Sequence, residues 1–111
     1  MNLYRSNLYR YGNQYNLMEW VIDLNIHMQQ AQIKKDDVLG YVGTVSFRVE
    51  KHTQDYEITL HSKNLKTWGY SLNFLSVSGK EEELIAVDER IDEDDELFAQ
   101  FVAAVTAQIS T

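Results

Sequence analysis

Between Met18 and Gln29 large apolar side chains fall on every even position: Met18, Trp20, Ile22, Leu24, Ile26 and Met28. The odd positions carry Glu19, Val21, Asp23, Asn25, His27 and Gln29, of which only Val21 is apolar. Side chains alternate across a strand and recur every 3.6 residues on a helix. The segment therefore reads as a long strand with one buried face, its even-numbered members pointing inward. A helical face of Leu17, Trp20, Val21, Leu24 and Met28 accounts for fewer of its apolar positions. Gln29 to Asp37 follows as a polar connection in which Ile33 is the one large apolar residue.

Alternation returns three times. Tyr41, Gly43, Val45, Phe47 and Val49 alternate with mostly polar neighbours and define a second strand, with Gly43 suggesting a bulge or sharp coil. Tyr56, Ile58 and Leu60 define a third beyond a short loop at His52–Asp55. Such close linkage implies an antiparallel pair. A fourth runs from Trp68 to Val77 with Tyr70, Leu72 and Phe74 on one side. Leu75 and Val77 break its alternation, as expected of a strand buried on both faces or carrying a bulge. Leu84-Ile85-Ala86-Val87 reads as a fifth short strand.

The C-terminus is helical. Leu97, Phe98, Phe101, Val102, Val105 and Ile109 form a stripe at spacings of 3 and 4, and Asp92, Asp94 or Asp95 can cap its start. Together these elements predict an α+β domain: an antiparallel meander of four to five strands, as a curved sheet or half-barrel, with a C-terminal amphipathic helix packed on it. Their order resembles the pleckstrin-homology-like superfold, a resemblance of element order that no motif carries. Residues 17–111 read as one domain, and 1–16 as a Tyr/Arg arm in which Asn-Leu-Tyr-Arg occurs at 2–5 and again at 7–10. Such an arm could stack on bases or dock on a partner. A terminus that is loose or packs on its own domain is the simpler expectation.

Charge is unevenly spread. Glu81 to Glu96 holds ten acids and one base, a net of -9, which leaves the rest of the 111-residue chain at +2 for an overall -7. That balance disfavours a phosphate-backbone binder. There is no Cys, hence no disulfide framework and no thiolate chemistry, which fits a reducing compartment. The N-terminus lacks the apolar run of a secretory signal, and no apolar run approaches the ~20 residues of a membrane span. A cytoplasmic location is expected.

No motif assigns chemistry. Asp92-Glu93-Asp94-Asp95-Glu96 lacks the Gly and the final Glu of a calcium loop, and Gly40-Tyr41-Val42-Gly43 leads into a strand rather than between helices. His27 and His61 with Glu57 would make a crude metal site if their strands were neighbours. Neither a catalytic residue, a metal site nor a cofactor is assigned, and the reading leans away from an enzyme without deciding it. The leading expectation is a non-catalytic interaction module, of inhibitor or regulator type, in which Asp92, Glu93, Asp94, Asp95 and Glu96 meet a protein partner with a basic surface. The competing expectation is a small-molecule or enzymatic half-barrel with an aromatic pocket at Trp20, His61, Trp68 and Tyr70, and Phe74 nearby. A homodimer is a third, through the small side chains Ala99, Ala103 and Ala107 or through a sheet edge.

Overall fold

The computed structural model describes residues 24–109. Strands β1 (Ile26–Asp36), β2 (Gly40–Val49), β3 (Tyr56–Ser62) and β4 (Gly69–Phe74) precede helices α1 (Glu81–Glu93) and α2 (Asp95–Thr106). The strands form one open antiparallel sheet in the order β1-β2-β3-β4, a meander of short connections. The expected α+β architecture holds. The sheet does not close, and it has four strands followed by two helices, which departs from a meander closed by a single helix.

Period-2 sequence becomes a two-faced sheet. Val45, Phe47 and Val49 of β2 and Tyr56, Ile58 and Leu60 of β3 are all buried. In register with them on β4 stand Tyr70, Leu72 and Phe74, opposite Leu60, Ile58 and Tyr56. The other face carries Thr44, Ser46, Glu57, Thr59 and Ser71. β4 stops at Phe74, and Leu75 and Val77 beyond it are exposed. The broken alternation expected to mark a doubly buried strand marks its end instead.

β1 corrects two expectations. Met18–Asp23 lies outside the described residues. Leu24 and Ile26 are half-buried against the core, as the even phase requires. Met28 faces Phe47 in the ladder yet remains 38% exposed, and the register shifts between Met28 and Gln30. An extra residue in one strand reverses its phase. Beyond the bulge the core-packed residues are odd-numbered, Ala31 and Ile33. The strand therefore continues to Asp36 through residues expected to form a polar connection. Asp36 ends it by accepting the N–H groups of Val38 and Leu39 at 2.8 Å each, which holds its carboxyl below the usual range.

The expected fifth strand at Leu84–Val87 is part of α1. Leu84, Val87 and Ile91 recur at 3 and 4, and Val87 and Ile91 are buried while Ile85 is half-exposed. Glu81, Glu82 and Glu83 occupy the first turn, where the helix dipole favours carboxylates. A four-residue apolar run read alone conceals this longer period.

Both helices cover the inner face, α2 against β1 and β2 and α1 against β4. Leu97, Phe101 and Val105 of α2 are buried, and Phe101 sits 5.0 Å from Phe47 between ring centroids. Gly43 makes no bulge. A Cβ there would lie 2.8 Å from the Val105 side chain and 3.1 Å from the Gln32 carbonyl oxygen, so the missing side chain lets the helix approach the sheet. Ala99, Ala103 and Ala107 are exposed on the outer side of α2. Among the described residues no helix is long and apolar enough to cross a membrane.

Candidate functional site

The acidic segment folds as the turn between the two helices, and one residue makes that turn. Asp94 has extended backbone (φ -114°, ψ 93°) and therefore ends α1. Its Oδ1 accepts the Leu97 N–H at 3.0 Å, capping α2, and its Oδ2 accepts the Arg90 Nε–H at 3.0 Å. Burial pushes the Asp94 carboxyl up, but the Leu97 N–H and the Arg90 guanidinium outweigh it, so the group lies below the usual carboxylate range. Of the five acids expected to meet a partner, Asp94 is thus engaged in making the turn. Asp92, Glu93, Asp95 and Glu96 stand exposed around it.

A groove opens on each side of this turn. One, of about 210 Å³, is lined by Trp68 just ahead of β4 and Tyr70 within it, Ile91 and Asp92 from α1, and Asp95 and Phe98 from α2. The Tyr70 and Phe98 rings lie 5.6 Å apart at 54°. The Tyr70 hydroxyl donates to Asp88 Oδ1 at 2.8 Å. Burial first, then this bond and the Asp88 and Asp92 charges, hold the Tyr70 phenol well above its ordinary range. The other groove, of about 250 Å³, lies between Leu24 and Ile26 and the residues Arg90, Asp94, Glu96, Leu97 and Gln100.

Of the aromatic pocket expected from sequence, Trp68 and Tyr70 do share a groove. Trp20 lies outside the described residues. His61 is on the opposite face of the sheet, its ring across Gly69, where an added Cβ would meet Cε1 at 2.5 Å. Neighbouring strand residues point to opposite faces, so the partner of Tyr70 in the ladder is Leu60 and His61 turns away. Phe74 joins the core, stacked on Tyr56 at 5.4 Å, which in turn stacks on Phe47 at 5.5 Å.

His27 and His61 do not meet. His27 pairs with Arg48 and His61 with Val42, six residues apart along β2, roughly 20 Å at ~3.3 Å per residue. Among the described residues no three His, Asp or Glu side chains gather as a metal site.

Other polar contacts were not legible in sequence. Glu83 accepts the Thr53 N–H at 3.0 Å and its hydroxyl at 3.1 Å, tying α1 to the β2–β3 loop. The backbone N–H is the main reason that the Glu83 carboxyl lies below its ordinary range. A 2.8 Å hydrogen bond joins His52 Nδ1 to the Tyr56 hydroxyl. Burial, then the Glu83 charge, pushes that phenol up to about 12. The readable signal for the groove was the i, i+4 pair Asp88 and Asp92, which shares a face only once Leu84–Val87 is taken as helix.

No protein-family model, curated protein or solved structure matches the chain.

Proposed function

We propose that this protein is a small acidic interaction module without catalytic function, an inhibitor or regulator whose α1–α2 turn receives a basic surface of a partner protein. The observation that carries the reading is the exposure of Asp92, Glu93, Asp95 and Glu96 around one turn, where Arg90, the one base of the segment, is bonded to Asp94. Clustered like charge of this kind raises the encounter rate with an oppositely charged partner. The interior supports the same reading. Phe47, Tyr56, Ile58, Leu60 and Phe101 are fully enclosed between sheet and helices. The two grooves beside the turn, about 210 and 250 Å³, fall below the ~300–1,000 Å³ of ordinary small-molecule sites, which favours a macromolecular partner over a small ligand at the turn. A chain without Cys suits the cytoplasm.

The test begins with capture from the native cell on wild-type protein and on a variant carrying Asp92→Asn, Glu93→Gln, Asp95→Asn and Glu96→Gln. For each partner retained by the wild type alone, the association rate is then measured against salt. The rate is expected to fall about tenfold between low and physiological salt, and the variant is expected to show a slow, nearly salt-independent rate. A partner whose association ignores both salt and the four substitutions sinks the proposal.

A further inference from the structure

The groove at Trp68, Tyr70, Ile91 and Phe98 differs from the rest of the acidic surface because it joins apolar walls to charge. Three aromatic side chains and Ile91 form its lining, and the carboxylates of Asp92 and Asp95 sit on it. Neither carboxylate forms an ion pair among the described residues, whereas Asp94 between them in sequence is bonded to Arg90. The Tyr70 hydroxyl is already bonded to Asp88, so what Tyr70 adds to the groove is its ring rather than a donor. At about 210 Å³ the groove has the volume of roughly seven waters at ~30 Å³ each, the scale of one long side chain.

Resting on the interaction reading above, we infer that this groove takes a single arginine side chain of the partner protein. A guanidinium is planar, more weakly hydrated than an ammonium, and presents a fork of N–H donors. It can stack on an aromatic face while its edge donates to carboxylates. The groove offers both kinds of group at once: the aromatic rings of Trp68, Tyr70 and Phe98, and acids from either side of the α1–α2 turn. A lysine ammonium matches the charge and not the planar walls. The acids of the first turn of α1, Glu81 and Glu82, are exposed without an aromatic neighbour in this groove and serve as the internal control.

The probe is the peptide acetyl-Gly-Arg-Gly-amide, titrated into the full chain and followed by NMR at low salt, beside its lysine and citrulline counterparts. Saturable shifts are expected at the Trp68 indole and at Tyr70, Asp92, Asp95 and Phe98. The lysine peptide should bind at least threefold more weakly, and the citrulline peptide at least tenfold. The double variant Asp92→Asn/Asp95→Asn, its fold checked by circular dichroism, should lose at least tenfold in affinity. Glu81→Gln/Glu82→Gln, which removes the same charge, should change affinity less than twofold. Equal losses in the two double variants would show diffuse attraction and overturn the groove while leaving the acidic-turn reading intact. Equal affinity for arginine and lysine, or shifts that avoid Trp68, would overturn it as well. Concentration-dependent shifts at Trp68 without peptide would mean that a second copy fills the groove, and would also overturn it. The acidic-turn reading fails separately, on a captured partner whose association rate does not respond to salt.

Discussion

Asp94 shows how much one side chain can settle. Its extended backbone ends α1, and its one carboxylate caps α2 and holds Arg90. Asp94→Ala should cost about 1 kcal/mol in urea unfolding, the usual value of a lost N-cap. Asp94→Asn should keep most of that stability, because an amide oxygen still accepts the Leu97 N–H. A loss of equal size in both variants would mean that the Arg90 pair, not the cap, dominates. Lys51 and Leu65 sit at the other extreme, in left-handed backbone with φ of 74° and 64°. Leu65 is held there by its neighbours: Ser62 Oγ accepts its N–H at 2.8 Å, and Asn64 Oδ1 accepts those of Lys66 and Thr67. Lys51 is exposed at the β2–β3 loop. Lys51→Gly should therefore raise stability by about 0.5–1 kcal/mol, since glycine adopts positive φ without the Cβ clash. A decrease in the unfolding midpoint would show that the Lys51 side chain contributes more than the strain costs.

Among the elements, α2 lies close over β2 at Gly43, whose missing side chain permits the contact. Gly43→Ala should destabilise by about 1–3 kcal/mol, the usual range for overpacking. Val105→Ala removes Cγ1, one of the two Val105 atoms that the new Cβ would meet at 2.8 Å, and leaves the other, Val105 Cβ, in place. The two substitutions together should cost less than the sum of their separate effects, a coupling measurable as a double-mutant cycle. Strict additivity would place the clash on the atoms that remain, Val105 Cβ and the Gln32 carbonyl of β1. β1 illustrates the opposite balance. It is an edge among the described strands, paired only with β2, and its bulge swaps the buried phase from even to odd numbers. An edge strand with one covered face tolerates such a step because only one ladder has to adjust.

At the scale of the molecule, three carboxyls among the described residues, Asp36, Glu83 and Asp94, lie below their ordinary range because backbone N–H groups or Arg90 favour their charged forms. In the unfolded chain they titrate near 4. Falling pH then protonates the unfolded state first, so their stabilisation is present above about pH 4 and is lost as pH drops through the lowered folded values. Urea midpoints measured from pH 6 to pH 3 should fall below about pH 4, and Asp94→Asn should flatten that fall. An unchanged profile would mean that these contacts do not persist in solution. Tyr56 acts at the other end. Its phenol, raised to about 12, contributes stability that is full below pH 10 and is lost as pH rises through 12.

The chain's local periodicities were enough to place β2, β3, β4 as far as its end at Phe74, and α2. Val45, Phe47 and Val49, or Leu97, Phe101 and Val105, alternate or recur because one backbone geometry repeats along one element. Packing alone decided the rest. It inserted the bulge between Met28 and Gln30 and coiled Leu84–Val87 into α1 against β4. It also brought Trp68 from the loop ahead of β4, Asp92 from α1, and Asp95 and Phe98 from α2 to one groove. Periodicity is a property of neighbours in sequence, whereas register and the meeting of distant side chains depend on which surfaces are buried together, and that is settled only when the helices close on the sheet.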